Sequence, residues 1–258
     1  MERFDLVVIG AGPAGLSAAI EAATAGMKVV VFDENKRPGG QLFKQIHKFF
    51  GSKEHKARVR GFRIGQELLQ AAEKAGVTVH LNAVVIGVFP HLGITVAEDN
   101  HIEHYKANSI IIATGASENA LPFPGWTLPG VMGAGAAQTM MNLYREQPGK
   151  KILMVGSGNV GLVVTYQLLE AGCQVVGLVD VLPRIGGYGV HAAKIARTGV
   201  KFYLSNTIVQ AEGDKTVTGA VIAKVDKNFK VINGTEQHLD VDTICLAVGL
   251  TPMSNLAR

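Results

Sequence analysis

The chain has 258 residues, 47% of them hydrophobic, which suits one large or two modest packed domains and argues against disorder. Its net charge of +4 falls short of the dense, one-sided basicity of a nucleic-acid binder. Two distant cysteines, Cys173 and Cys245, with no CxxC, argue against a disulfide scaffold, a zinc site or a dithiol of neighbouring cysteines.

Phe4 to Ile9 is a short apolar run of the buried-strand type. Gly10-Ala11-Gly12-Pro13-Ala14-Gly15 then turns the chain. Leu16, Ala19, Ile20 and Ala23 follow at helical spacing, and Gly26 closes that helix. Lys28 to Phe32 predicts a second strand, ending at Asp33-Glu34. Lys44, Lys48, Lys53, Lys56, Arg58, Arg60 and Arg63 come next, opposed only by Glu54, and read as a solvated loop or as an electropositive rim. A helix is expected around Gly65 to Ala75. Short strands are expected at 77–81, 84–89 and 93–98, and a fully apolar one from Ser109 to Ala113, closed by Thr114-Gly115. Residues 116–130, with Pro122, Pro124, Gly125, Pro129 and Gly130, read as an interdomain connection in which Trp126 packs.

The pattern then restarts. Lys151 to Val155 is a strand, Gly156-Ser157-Gly158-Asn159-Val160-Gly161 a second glycine turn, Leu162 to Ala171 a helix, and Val175 to Val179 a strand before Asp180. Gly10 and Gly26 lie sixteen residues apart, as do Gly156 and Gly172. Arg37-Pro38-Gly39-Gly40 is echoed by Arg184-Ile185-Gly186-Gly187, and the strand before Gly115 by the one before Gly249. The fold class is therefore α/β with two Rossmann-like copies, residues 1–117 and 118–258.

A pyrophosphate must approach backbone closely, and a helix start offers unpaired N–H groups and the positive end of the macrodipole. Gly10 suits the tight turn, Gly12 phosphate approach, and Gly15 helix-on-strand packing. Asp33, 23 residues after Gly10, has the spacing of a ribose-binding acid. In the second copy the same count falls on Val179, one residue before Asp180. A one-residue insertion near the strand end reconciles this with the Gly-Gly echoes. An Asp180 that reached the ribose would favour NAD over NADP, because a carboxylate repels a 2′-phosphate.

VVIGAGPAGLSAAI, Gly39-Gly40-Gln41-Leu42, Ala113-Thr114-Gly115 and VGSGNVG together resemble the two-dinucleotide flavoprotein reductases, thioredoxin reductase among them, over nearly the whole chain. The resemblance implies FAD in the first domain. In the second it implies NAD, with NADP or another adenine nucleotide as alternatives, held at Gly156, Gly158, Asn159, Val160, Gly161 and Asp180. It places Gly10, Gly12, Pro13, Ala14 and Gly15 at the FAD pyrophosphate, and Asp33 and Glu34 at the adenosine ribose. Gly40, Gln41 and Leu42 would lie toward the ribityl chain and flavin, Val84 at the adenine, and Ala113, Thr114 and Gly115 over the cofactor.

Residues 129–138, PGVMGAGAAQ, with Tyr166-Gln167-Leu168-Leu169, resemble more narrowly the flavoprotein subunits of dye-linked amine dehydrogenases. That group includes opine and proline dehydrogenases, hydrogen cyanide synthase and the large subunit of sarcosine oxidase. The implied function is an FAD-dependent oxidoreductase or electron-transfer subunit. It would pass hydride or electrons between a nicotinamide nucleotide or an amine-derived donor and flavin, without a redox dithiol. The alternative is a non-catalytic nucleotide-binding subunit. The expected partners are a small-molecule electron donor or acceptor and a second subunit, and not nucleic acid. The family chain normally continues past Gly249-Leu250-Thr251-Pro252 and returns to the first domain with a Gly-Asp pair, so a fold lacking that C-terminal return is expected.

His47 and His55 read as surface histidines, with a proton relay as the sharper reading. Tyr188 and His191 are candidates to line the second nucleotide pocket. No cluster has metal-ligand spacing. No run reaches the ~20 apolar residues of a membrane span and no leader is visible, so the cytoplasm is the expected compartment.

Overall fold

The computed structural model describes residues 1–98 and 100–257. It divides into two compact units, one of Met1–Ser117 with the segment from Pro252 onward, the other Glu118–Thr251. The closing segment, expected in the second domain, therefore belongs to the first. Hydrogen bonds hold it there: the Thr114 hydroxyl donates to the Met253 carbonyl at 2.6 Å, and the Met253 N–H donates to the Gly115 carbonyl at 3.0 Å. Leu256 packs against the apolar cluster of Phe4, Ile9 and Phe32.

The first unit runs β1 (Glu2–Ile9), α1 (Pro13–Thr24), β2 (Val29–Phe32), α2 (Gly61–Lys74), β3 (Thr78–His80), β4 (Ala83–Phe89), β5 (Gly93–Glu98) and β6 (His101–Ile112). Its sheet has the order β3-β2-β1-β6-β5-β4. The first four strands are parallel, and β4, β5 and β6 form an antiparallel meander. Strand β6 is longer than its apolar end predicts. Its polar first half pairs with β5 and its apolar second half with β1, so one strand serves two ladders of opposite sense. From Leu6 onward, alternation in β1 sends Leu6 and Val8 to a core with Leu16, Ala19 and Ala72, and Val7 and Ile9 to the opposite face; the alternation breaks at Asp5, where the Asp5 and Leu6 N–H groups both donate to the Lys28 carbonyl, so Phe4 joins Val7 and Ile9. The basic stretch is mostly a loop, with Lys44 closing a 3-10 turn before it and Arg63 in the first turn of α2. Lys48 bridges Arg60 in antiparallel fashion, and the Lys56 ammonium meets the Glu67 carboxylate at 2.8 Å.

The second unit opens with β7 (Ala116–Glu118), which starts in the first, then β8 (Val131–Gly133), α3 (Ala134–Thr139) and a π-helical turn over Met140–Tyr144. It continues β9 (Lys151–Val155), α4 (Asn159–Glu170), β10 (Gln174–Asp180), α5 (Gly189–Ala196) and β11 (Lys201–Leu204). The remaining strands are β12 (Asn206–Glu212), β13 (Gly219–Lys224), β14 (Gln237–Leu239), β15 (Thr243–Leu246) and β16 (Leu250–Pro252). The parallel sheet β11-β10-β9-β15-β8 repeats the order of the first unit's parallel strands, and β8 extends its edge. Ile152, Met154, Leu162 and Leu168 fill one side of this sheet, with helix α4. Leu153, Val155 and Ile244 meet Ile208, Ala220 and Ile222 of the three-stranded sheet β12-β13-β14 on the other. The connection over 116–130 is built of hydrogen-bonded turns around the buried Phe123. Trp126, expected to pack, is 42% exposed.

Candidate functional site

The carboxyl ends of β1, β2 and β6 open on a cavity of about 590 Å³, the place where parallel α/β sheets take ligands. It is lined by Gly10, Gly12, Pro13, Ala14, Asp33, Glu34, Gly40, Gln41, Val84, Ala113, Thr114 and Gly115. Two residues of the expected set are not in its wall. Leu42 is buried, and Gly15 lies within α1, against the turn.

The three glycines differ in what a side chain would meet. Gly10 has φ +105°, and a Cβ there would lie 2.4 Å from the Ala113 carbonyl oxygen. A Cβ on Gly15 would lie 1.9 Å from the Gly10 carbonyl oxygen, because α1 packs directly on the turn. At Gly12, the residue that precedes α1, a Cβ would meet no atom within 4 Å. The protein does not need glycine there for its own packing. The open space before a helix start is where an anion would come close.

Asp33 is 6% exposed, and its carboxylate is already engaged. The Ala11 N–H donates to Oδ2 at 2.6 Å, and the Asn35 N–H and side-chain amide donate to Oδ1 at 2.8 and 2.9 Å. Asp33 thus ties the end of β2 to the glycine turn. Its neighbour Glu34 is exposed and faces the cavity. The Gly39 N–H donates to the Ala11 carbonyl at 2.6 Å, which brings Gly40 and Gln41 to the same turn.

Sequence reasoning missed several wall residues. Ile9 and Phe32 are the last strand residues before the turn and the acid, so the strand-end rule alone could have found them. Asn35, Ala83, Val85 and Ala116 neighbour predicted positions. Met253, Asn255 and Leu256 carry no local signal, since tertiary structure brings them back.

The second unit repeats this construction. Gly156 has φ +108° and a Cβ there would lie 2.3 Å from the Ala247 carbonyl oxygen. A Cβ on Gly161 would lie 2.0 Å from the Gly156 carbonyl oxygen, and Gly158 faces open space. The Gly10 N–H donates to the Phe32 carbonyl at 2.7 Å, and the Gly156 N–H to the Val179 carbonyl at 2.8 Å. Asp180, not Val179, is thus the counterpart of Asp33. The extra residue sits in β10, where the register against β9 shifts between Val175 and Gly177 while β1 and β2 pair without a shift. The Asp180 carboxylate accepts from the Ser157 N–H at 2.6 Å, the Ser157 hydroxyl at 2.5 Å and the Leu182 N–H at 2.9 Å. Asn159 turns its side chain to the Gly-Gly segment, accepting from the Tyr188 N–H at 2.8 Å. Val160 and Tyr188 are exposed. His191 is half-buried, and burial, with the Lys194 ammonium, lowers its pKa below the ordinary value. The Ser52 hydroxyl and His55 Nδ1 lie 2.7 Å apart in the basic loop, away from the cavity wall, and His47 is half-buried there.

Both thiols are buried in the second unit's core. Burial raises the Cys173 thiol and pushes Cys245 up to about 12, so neither is a thiolate near neutrality. Among the described residues, no cluster of His, Cys, Asp and Glu converges to hold a metal, and no helix is long and apolar enough to cross a membrane.

Two parallel-sheet units, each with a strand–glycine turn–helix anchored by a carboxylate, define an α/β protein of the two-dinucleotide-binding class. The chain belongs to the pyridine nucleotide-disulphide oxidoreductase family, whose model matches residues 4–258. The family is one of oxidoreductases, and membership in it implies FAD as a cofactor. It is similar to an opine oxidase subunit of Agrobacterium tumefaciens (strain Ach5), 36% identical over 90% of this chain and 45% of that protein. It is also similar to the hydrogen cyanide synthase subunit HcnB of Pseudomonas aeruginosa, 27% identical over 98% of this chain and 58% of that one. The fold matches thioredoxin reductase of T. acidophilum with a TM-score of 0.77 at 20% identity, covering 99% of this chain and 80% of that one. The chain spans about half the length of the curated relatives it matches first.

Proposed function

We propose that this chain holds FAD in its first unit and a nicotinamide nucleotide in its second, and passes hydride or electrons between that nucleotide, or an amine-derived donor, and the flavin. The observation that carries the reading is the cavity at the first glycine turn, whose wall gathers twelve of the fourteen residues assigned to FAD from sequence. Bound FAD supplies the two-electron chemistry. The chain's own residues bind and orient it. The amides at the start of α1 meet the pyrophosphate, with Gly12 clearing the approach. Glu34 takes the adenosine ribose. Phe32, Ala83, Val84 and Val85 wall the adenine, and Gly40, Gln41 and Thr114 to Ala116 line the path toward the flavin. In the second unit, Gly156, Gly158, Asn159, Val160, Gly161 and Asp180 form the corresponding turn. Cys173 and Cys245 take no part, so disulfide reduction is not the activity of these residues.

The test is FAD titration of the purified chain, followed by anaerobic addition of NADH. Uptake of one FAD and loss of the oxidised flavin band on adding NADH are expected. A chain that stays colourless and takes up no FAD overturns the proposal.

A second reading is a non-catalytic nucleotide-binding subunit of a heteromeric amine dehydrogenase. Its support is that the relatives named above are themselves subunits. Dye reduction by NADH with the isolated chain would refute it. Flavin reduced only in the presence of a co-purified second flavoprotein would favour it.

A further inference from the structure

Residues 48–60 form a closed lobe of the first unit. Lys48 and Arg60 bridge in antiparallel fashion, the Phe49 N–H donates to the Val59 carbonyl at 2.8 Å, and the Arg58 N–H donates to the Phe49 carbonyl at 2.8 Å. Further out, the Ala57 N–H donates to the Ser52 carbonyl at 3.0 Å. The lobe holds five basic residues, Lys48, Lys53, Lys56, Arg58 and Arg60, against one acid, Glu54, and all six are exposed. Its net charge equals the +4 of the whole chain, so the rest of the molecule is neutral in sum. The Lys56 ammonium meets Glu67 of α2, and the Arg60 guanidinium donates to the Ile46 carbonyl. Two features oppose this arrangement. Lys48 and Arg60 face each other across the bridge, where like charges repel. Lys56 and Arg58 have φ +57° and +70°, the left-handed region that long side chains rarely adopt. Repulsion and strain kept in one place, with cations where glycine fits better, mark a surface held for a ligand and not for the fold.

The lobe adjoins the end of the cavity assigned to the flavin. The 3-10 turn Gly40–Lys44, whose Gly40 and Gln41 line the cavity, leads into it. Helix α2 leaves it packed on that turn: a Cβ on Gly61 would lie 2.7 Å from the Gln45 Cβ and 3.0 Å from the Leu42 carbonyl oxygen. The basic side chains are exposed and not gathered around a cavity, which suits an extended acidic surface better than a small anion. Phe50, 44% exposed, adds an aromatic contact, and aromatic residues and arginine are the types enriched in protein–protein interfaces. A nucleic acid would find no basic stripe beyond the lobe, because the rest of the chain is neutral in sum. We propose that residues 48–60 are the docking surface for an acidic face of a partner protein, which seats that partner beside the flavin. The surface stands on the lobe alone. The neighbour given to it rests on the reading that the first unit holds FAD.

The test is a fluorescence-anisotropy titration of a labelled decaglutamate peptide with the full chain, with and without FAD, at low and at high salt. Binding at low salt that is lost at high salt is expected. Lys53→Gln combined with Arg58→Gly should weaken it about threefold to tenfold, the loss of two exposed charge contacts. The urea midpoint of that variant should be no lower than that of wild type, because glycine is at ease at φ +70°. Lys227→Gln combined with Lys230→Gln removes the same charge from an exposed turn of the second unit and should leave the peptide constant within about twofold. No binding of the peptide at low salt, an unchanged constant in the lobe variant, or an equal loss in the second-unit variant overturns the proposal. So does a single-stranded oligothymidylate of equal charge that binds more tightly than the peptide, or inorganic phosphate that displaces the peptide more strongly than sodium chloride of equal ionic strength. A chain that binds the peptide through the lobe and takes up no FAD keeps the docking surface and overturns the flavin reading alone.

Discussion

Gly12→Ala separates what the glycine turn does for the fold from what it does for a ligand. Gly12 precedes α1 with φ −72°, a conformation open to any L-residue, and an added Cβ meets nothing within 4 Å. Two small effects on the apoprotein oppose each other. Replacing glycine at a compatible φ restricts the unfolded chain and stabilises by ~0.4–1 kcal/mol. Alanine is a poorer residue than glycine at the start of a helix, by a comparable ~0.5–1 kcal/mol. Apoprotein stability should therefore stay within about 1 kcal/mol of wild type. FAD binding should not be spared. A methyl group in the approach path pushes the pyrophosphate off the amides of α1. Losing one charge-assisted hydrogen bond, ~1.5–3 kcal/mol, weakens binding roughly tenfold to 150-fold. Urea unfolding of the apoprotein and fluorescence titration with FAD read the two effects separately. Gly158→Ala is the internal control, since it should leave the FAD constant unchanged. Gly12→Ala protein that binds FAD within about threefold of wild type would refute the assignment of this turn to the pyrophosphate.

Gly15→Ala should behave oppositely. Its Cβ would lie 1.9 Å from the Gly10 carbonyl oxygen, so α1 must shift and the apoprotein should lose ~1–3 kcal/mol, visible as a lower urea midpoint. Asp33→Ala leaves the Ala11 N–H without its 2.6 Å partner and should cost ~1–3 kcal/mol in the same assay. Glu34→Gln should leave apoprotein stability unchanged and weaken FAD several-fold; a drop in stability with unaltered affinity would reverse the roles given to the two acids. Cys245 is neutral when protonated, and its pKa rises from 9.0 to about 12 on folding. Its contribution is complete below about 9 and is lost as pH climbs toward about 12. Unfolding midpoints should fall across that window, less steeply in Cys245→Ala, and iodoacetamide at pH 8 should label Cys245 only after unfolding, as read by mass spectrometry.

Most of the parallel core was legible because it is locally encoded. Apolar runs of strand length ending in glycine, with a helical repeat behind them, announce strand, turn and helix without long-range information. That covers β1, α1 and β2 and their counterparts β9, α4 and β10. Strand β6 was only half visible, because its first half carries His101, Glu103, His104 and Lys106 and pairs through backbone in the meander, where side-chain pattern says little. Helix α3 and the π-helical turn after it went unread, since short glycine- and alanine-rich segments take their shape from what they pack on. The insertion that displaced Asp180 in the count was legible as a discrepancy, but only the register shift against β9 locates it.

By itself, the sequence determined that two copies of one strand–glycine–helix unit are present, where each turns, and which small residues stand at each turn. These are matters of periodicity and of the room a side chain takes, and they are written in neighbouring residues. Only the tertiary structure decided that the anchoring acids are occupied by the chain's own N–H and hydroxyl donors, which leaves Glu34 as the acid in the wall of the first unit's cavity. The same holds for the wall formed by Met253, Asn255 and Leu256. The physical reason is common to both. A hydrogen bond satisfied across 22 residues, or a cavity closed by a segment 139 residues from its partner, depends on which donors and surfaces folding brings together, and no local pattern records that.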